Sequence, residues 1–168
     1  MAIFPGKDEK KKEQLVEEAI LKKYNSFYRL AYSYVHKESD AEDIVQNMAY
    51  RALRACKNLR NPEYVETWIY RILMNEIFKV LRRQDNYSYE EYIEKNGNEG
   101  EYMEDTYEDV DLMRVLDELP EKDKLVVELR YFEDKKLEEI ALILGENVST
   151  VKSKLYRSLK KMRIMLEE

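Results

Sequence analysis

The chain has 168 residues, of which 38% are charged, and its formal net charge is −6. This length fits one mid-sized domain or two small ones. Because so many charges cannot all remain solvated around one large core, we expect several thin helical units. Four glycines, three prolines and little strand-like alternation indicate an all-α fold. The single cysteine, Cys56, excludes an internal disulfide and is typical of a reducing cytosol. No apolar run reaches the 18 residues of a membrane span, and the charged stretch 7–14 is unlike a secretory signal, so we predict a cytoplasmic protein without membrane insertion.

The N-terminal half predicts three or four helices, each with one apolar face. The first stripe continues to His36, and Ser39 or Asp40 is expected to cap the second helix, with acids near its positive N-terminal end. Pro62 suits the first turn of the next helix. The predicted buried residues are Leu15, Ala19, Ile20, Phe27, Leu30, Ala31, Tyr34 and Val35, then Ala41, Ile44, Val45, Met48, Ala52 and Ala55, then Val65, Trp68, Ile69, Ile72, Leu73, Ile77, Val80 and Leu81.

The negative charge is concentrated in one segment. Residues 85–111 hold eleven acids and one base, so this segment carries −10 and the rest of the chain +4. Dense like charge with few aliphatic side chains cannot offset the entropy lost on ordering. We therefore predict a flexible acidic linker at 85–111, between helical domains at 7–84 and 112–168.

The C-terminal domain is expected to contain a helix-turn-helix. Leu112, Val115 and Leu116 form its first apolar face, and a helix from Leu119-Pro120-Glu121 carries Leu125, Val126, Leu129 and Phe132. Two further helical patterns meet at Gly145, with the small Ala141 before it and the apolar Val151 after it. Tightly crossing helices need a small contact residue and a turn residue that tolerates positive φ. From 147 to 163 there are six basic residues and no acid, which favours a helix that lies beside phosphate.

We find no combination of residues suited to catalysis. One histidine, His36, and one cysteine exclude a metal cage built from several of these ligands. The chain also lacks a glycine-rich phosphate loop and a Ser-His-Asp set. The prediction is a protein without catalytic residues, metal site, cofactor or small-molecule substrate.

Three motifs occur in order along the chain. Residues 30–46 (LAYSYVHKESDAEDIVQ) are similar to the segment by which sigma-70 family initiation factors grip RNA polymerase. Residues 68–75 (WIYRILMN) with 81–83 (LRR) resemble the promoter −10 helix. Residues 119–124 (LPEKDK) and the helix-turn-helix resemble the −35-reading domain. The short two-domain chain with a variable linker is similar to the extracytoplasmic function (ECF) class.

The resemblance implies a polymerase-binding surface and a −10 surface. The residues implied for core RNA polymerase are Asp40, Asp43, Gln46 and Asn47, although Asp40 and Asp43 also suit helix capping. Those implied for −10 DNA are Asn58, Arg60, Asn61, Tyr70, Arg71, Asn75, Lys79, Arg82 and Arg83. Trp68 could stack on a base, but on an apolar face we favour a core position. The family often has Ala-Arg at Leu73-Met74, an acid at Lys79 and Glu at Asn47.

The resemblance also implies that the last helix, expected to begin near Ser149, reads the −35 element in the major groove. The implied contacts are Thr150, Lys152, Ser153, Tyr156, Arg157, Lys160 and Lys161. Arg157 or Lys152 suits guanine O6 and N7, whereas Lys160, Lys161 and Arg163 suit phosphates.

The sequence therefore predicts a sigma factor that binds core RNA polymerase and promoter DNA. Family resemblance further implies an anti-sigma factor, membrane-anchored, that holds it inactive until a signal such as envelope stress. Two alternatives stay open: an autonomous helix-turn-helix regulator that binds duplex operators as a dimer, and an adaptor that binds polymerase but no promoter.

Overall fold

The computed structural model describes residues 6–85 and 107–167, and every regular element in these two ranges is helical. The helices are α1 (Lys7–Val35), α2 (Glu38–Arg54), α3 (Val65–Asp85), α4 (Tyr107–Asp117), α5 (Glu121–Tyr131), α6 (Leu137–Leu144) and α7 (Val148–Glu167). Two 3-10 turns, Cys56–Asn58 and Pro62–Tyr64, lie between α2 and α3. The predicted all-α fold is confirmed. Among the described helices, none is both long and apolar enough to span a bilayer.

Helices extend into both ends of the predicted linker. Asp85 is the last residue of α3, and α4 begins at Tyr107, before the predicted boundary at 112. The remainder of the linker, 86–106, lies outside the described residues. Within the described ranges the chain forms two compact units, one with residues 6–78 and 142–145 and the other with 79–85, 107–141 and 146–167. The division into domains at 7–84 and 112–168 stays a prediction.

Helices α1 and α2 pack against each other through the predicted apolar stripes. The stripe of α1 forms one continuous helix, and His36 ends it in a left-handed conformation (φ 54°), with its N–H donating to the Tyr32 carbonyl oxygen. The predicted cap of α2 was wrong, because α2 begins at Glu38 with Lys37 at the N-cap. The predicted buried face of α2 is confirmed at Ala41, Ile44, Val45, Met48 and Ala52, whereas Ala55 is half-buried.

The buried face of α3 contains fewer of the predicted apolar residues than expected, and it includes a tyrosine that was not predicted to be buried. Val65, Ile69, Leu73 and Ile77 are buried, whereas Trp68, Ile72, Val80 and Leu81 are half-buried. Tyr70 is 1% exposed and meets Phe27 of α1 edge-on, with ring centroids 5.0 Å apart. The core therefore includes the Tyr70 side of α3, because α1 covers it.

In the second unit, α7 packs against α4 and α5. The predicted core residues Val115, Leu116, Leu125, Val126 and Leu129 are buried. Phe132, predicted to lie on α5, follows its last residue, Tyr131, and is 53% exposed.

The predicted turn between α6 and α7 is confirmed in its three defining residues. Gly145 has φ +67°, Ala141 is 6% exposed and Val151 is fully buried. The N–H of Glu146 donates to the Ala141 carbonyl oxygen at 3.0 Å, which ends α6 in the manner of a Schellman motif. This turn determines where the basic helix α7 starts.

Candidate nucleic-acid interfaces

The N-terminus of α7 is organised by a residue that the sequence analysis missed. Asn147 precedes the helix, and its Oδ1 accepts hydrogen bonds from the Thr150 N–H (2.8 Å), the Thr150 hydroxyl (2.8 Å) and the Ser149 hydroxyl (2.9 Å). Asparagine is a favoured N-cap because its side chain satisfies exposed backbone donors of the first turn. The signal was present in the sequence as Asn147 three residues before Thr150. Thr150, predicted to contact DNA, is half-buried and its hydroxyl takes part in this cap.

Beyond the cap, the structure places the predicted −35 residues on one exposed face of α7. Val151, Leu155 and Met162 are buried on the other face. Tyr156 is 68% exposed, an unusual position for a large aromatic ring on a basic helix. The exposed residues are Lys152, Ser153, Tyr156, Arg157, Lys160 and Lys161. This face offers cations, hydroxyls and one aromatic ring, which are the groups that contact phosphates and base edges.

Ion pairs give the basic residues of α7 different surroundings. The Arg157 guanidinium meets the buried carboxylate of Asp123 on α5, with Nε–Oδ2 at 3.1 Å and Nη2–Oδ1 at 2.9 Å. The Lys154 ammonium contacts both carboxylate oxygens of Glu146, at 2.5 and 2.6 Å. Lys161 Nζ donates to the Glu118 carbonyl oxygen at 3.3 Å. The spacing of residues along α7 could not distinguish Arg157 from the other basic residues, because its partner Asp123 lies 34 residues away in the sequence.

The predicted −10 loop projects three polar side chains around one apolar anchor. Asn58, Arg60 and Asn61 are exposed, whereas Leu59 between them is only 2% exposed. The N-terminal part of α1 reaches this loop, where Lys12 Nζ donates to the Lys57 carbonyl oxygen at 3.4 Å. The buried leucine holds the loop against the bundle while its neighbours face solvent.

The predicted −10 residues on α3 are only partly on an accessible face. Arg71, Asn75, Arg82 and Arg83 are exposed, and Lys79 is half-buried. The assignment of Tyr70 to this surface was wrong, since its ring lies in the core against Phe27. A buried side chain cannot stack on a base without leaving the core. Trp68, expected in the core, is half-buried.

The predicted polymerase-binding residues lie on the polar side of α2. Asp43, Gln46 and Asn47 are exposed and Asp40 is half-buried. One turn further along, the Arg54 Nη1 donates to the Tyr50 hydroxyl at 2.7 Å, and the guanidinium lies over the ring at 5.7 Å from its centroid. Tyr50 is 61% exposed, and the sequence analysis did not include it. One polar surface of α2 is therefore formed by Asp40, Asp43, Gln46, Asn47, Tyr50 and Arg54, and it carries two carboxylates and one guanidinium.

Beside this surface, the phenol of Tyr28 on α1 lies close to acids of α2. Partial burial raises the pKa of Tyr28, and the carboxylates of Glu38 and Glu42 raise it further. Since an ordinary tyrosine pKa of about 10 already leaves the phenol neutral at physiological pH, the shift extends the pH range over which it can donate a hydrogen bond.

Within the described ranges, no group of three or more His, Cys, Asp or Glu side chains is placed to hold a metal ion. Cys56 is a buried free thiol, and His36 is an exposed helix C-cap. The position of His36 agrees with the sequence analysis, in which the first apolar stripe continues to this residue.

Comparisons with known proteins cover both halves of the chain. Family models described as Sigma-70 region 2 and Sigma-70, region 4 match residues 19–87 and 109–162. RNA polymerase sigma factor SigV of Bacillus subtilis is 47% identical over 145 residues, which covers 83% of this chain and 84% of that protein. ECF RNA polymerase sigma factor SigW of the same organism is 28% identical over 160 residues, covering 86% and 84%.

Among solved structures, the sigma factor RpoE of Bartonella quintana, in complex with the anti-sigma factor NepR, has the same fold. The TM-score is 0.71 at 19% identity, over 90% of this chain and 96% of that one.

Proposed function

Because the chain belongs to the sigma-70 family of RNA polymerase sigma factors, in its ECF class, we propose that it joins core RNA polymerase and directs initiation at a specific set of promoters. The observation that carries this proposal is the 47% identity over 145 residues, a match long enough to reach into both regions recognised by the family models. In this proposal residues 7–84 serve polymerase and the −10 element, residues 112–168 serve the −35 element, and 85–111 connect them.

The −35 element is bound by the exposed face of α7. A helix fits the major groove of B-DNA with its N-terminal residues near base edges. Lys152, Ser153, Tyr156 and Arg157 occupy these early turns and contact bases, whereas Lys160 and Lys161 lie further along and contact phosphates. Thr150 contributes mainly to the cap of the helix. This assignment is supported by the exposure of these side chains opposite the buried Val151 and Leu155.

The −10 element is melted and held as a single strand by the loop 58–61 and by α3. Extruding a base costs a few kcal/mol, and pocket or stacking contacts of about 1–3 kcal/mol per base can offset that cost. Exposed amides and a guanidinium in the loop supply hydrogen bonds to unpaired base edges. The proposed −10 residues are Asn58, Arg60, Asn61, Arg71, Asn75, Lys79, Arg82 and Arg83.

Core RNA polymerase binds the polar surface of α2. Asp40, Asp43, Gln46 and Asn47 pair with basic and polar groups of the polymerase, and we add Tyr50 and Arg54 to this surface. Charge complementarity of this kind contributes most to orientation and to the rate of association. The exposure of Asp43, Gln46 and Asn47 on a helix whose other side is buried supports the assignment.

Regulation is proposed to come from an anti-sigma factor that covers these surfaces until a signal arrives. A solved relative of the same fold is bound to an anti-sigma factor, which supports a partner of this kind here. We propose that this partner is membrane-anchored, that the chain works in the cytoplasm, and that it performs no covalent chemistry, since nucleotide addition belongs to the polymerase.

The deciding experiment is run-off transcription with core enzyme and a randomised promoter library. We expect core enzyme plus this chain to initiate from a subset of sequences that share a −35 and a −10 element, and core enzyme alone to show no such selection. Gel filtration and duplex-binding assays on the free chain test the alternative. A stable dimer that binds duplex operators and does not alter start-site selection would contradict the proposal in favour of an autonomous regulator.

A further inference from the structure

We infer that Asp123 is a positioning residue for base recognition, which holds Arg157 so that its guanidinium presents two N–H groups to a guanine of the −35 element. The inference rests on the proposed role of α7 at −35. It adds a residue on another helix that does not itself touch DNA. It also selects Arg157 over Lys152 as the residue that reads guanine.

The geometry of the pair leaves one edge of the guanidinium available. A guanidinium has a side edge, formed by N–H groups of Nε and Nη2, and an end edge, formed by one N–H from each Nη. Asp123 occupies the side edge, with Nε–Oδ2 at 3.1 Å and Nη2 at 2.9 Å from both carboxylate oxygens. The end edge points away from that carboxylate, and the Arg157 side chain is 63% exposed. Two parallel N–H groups of an exposed side chain therefore remain for a further acceptor.

The chemistry of this edge matches guanine better than any other base. In the major groove guanine shows two adjacent acceptors, O6 and N7, whereas adenine shows the N7 acceptor beside the N6 donor. Two parallel donors can satisfy both guanine acceptors, but on adenine one of them would face another donor. Bidentate arginine contacts of this type discriminate between bases by roughly 5- to 150-fold, the range that corresponds to the energies found for such pairs.

The burial of Asp123 makes it suitable for positioning. Its side chain is only 5% exposed, so its own freedom of movement is small. Arginine has several rotatable bonds and loses this freedom when it binds a base, but Arg157 has lost much of it before DNA arrives. The pair also connects the first turn of α5 to α7, which fixes the register of the guanidinium relative to the helix axis.

The neighbouring pair on α7 provides a matched control within the same protein. Lys154 and Glu146 form a still shorter ion pair, at 2.5 and 2.6 Å, but both side chains are largely buried, at 16% and 18% exposure. A lysine ammonium is a point charge without a planar set of donors. Breaking this pair should affect the packing of α7 without altering base preference.

The test is promoter selection by full-length protein bound to core polymerase, on a library randomised at the −35 element. We compare the natural chain with Asp123→Asn, Asp123→Glu, Arg157→Ala and Glu146→Gln, and measure the preference for guanine over adenine at each position. Arg157→Ala should abolish the preference at one position. Asp123→Asn should reduce the guanine preference about tenfold at that same position, because an amide cannot accept two charge-assisted hydrogen bonds from the side edge of the guanidinium. Asp123→Glu should keep it within about threefold, and Glu146→Gln should leave it unchanged.

The outcomes separate this inference from the proposed function. If the natural chain does not select promoters at all, the proposed function fails. If it selects promoters but Asp123→Asn keeps full guanine preference, or lowers it equally at all positions, only the positioning role is overturned. If Arg157→Ala weakens binding evenly across sequences, the end edge binds phosphate and the inference is wrong. The melting temperature of each variant is measured first. All variants are then assayed below the lowest of these temperatures, so that differences in promoter selection do not come from unfolded protein.

Discussion

The left-handed turn at Gly145 predicts a graded loss of stability when a side chain is added. Gly145 has φ +67°, and a Cβ built there would meet no atom closer than 3.8 Å, so the cost comes from the backbone conformation and not from a clash. That conformation costs an L-residue about 1–2 kcal/mol. Alanine also restricts the unfolded chain, which returns about 0.4–1 kcal/mol. Gly145→Ala should therefore destabilise the protein by about 1 kcal/mol.

The ranking of stability losses among several substitutions at position 145 tests this argument more strictly than the loss for one substitution. Gly145→Asn should cost less than Gly145→Ala, because asparagine adopts left-handed conformations readily, and Gly145→Val should cost the most because it is β-branched. For a unit of 60–100 residues, about 1 kcal/mol lowers the melting temperature by roughly 4–8 °C.

The assay is urea and thermal unfolding of the full chain, followed by circular dichroism. Gly6→Ala is the control, since Gly6 has φ −64° and no atom lies within 4 Å of its built Cβ. It should change stability by less than about 0.5 kcal/mol. Equal, negligible costs for Asn, Ala and Val at 145 would refute the argument, because the turn would then not require positive φ. Selection of −35 sequences should weaken in the same order, since the turn sets the direction of α7.

Three further predictions address the core and the binding surfaces. Tyr70→Ala should destabilise the protein by about 3 kcal/mol. Tyr70→Phe should destabilise it by less than about 1.5 kcal/mol, since phenylalanine keeps the edge-on contact with Phe27. Equal unfolding midpoints for the two variants would contradict the core assignment. Asp43→Arg should weaken binding to core polymerase at least tenfold without changing helix content, because like charges would then face each other; unchanged retention in a pull-down with core enzyme would argue against this surface. Lys161→Ala should weaken DNA binding evenly across sequences and reduce the slope of log affinity against log salt by about 1, and a loss confined to certain sequences would assign it to base contact.

Much of the helical framework was predictable because it depends on local spacing. Apolar residues three or four apart identify the buried side of a helix before its partner is known. This rule located Ala41, Ile44 and Val45 on α2. The turn at Gly145 was predictable for a similar reason, since glycine is the residue that most readily takes the conformation required there.

The sequence by itself therefore determined the all-α character, the helix-turn-helix and the polar side of α2, since each depends on residues close together in the chain. Only the tertiary structure decided that Tyr70 is covered and Phe132 is not. Spacing defines the middle of an apolar stripe, but the packing of neighbouring helices sets its edges, and for Tyr70 that neighbour is Phe27 on α1. The pairing of Arg157 with Asp123 likewise depends on how neighbouring helices pack. Two charged groups 34 residues apart meet only after α5 and α7 have packed, and no local pattern carries that information.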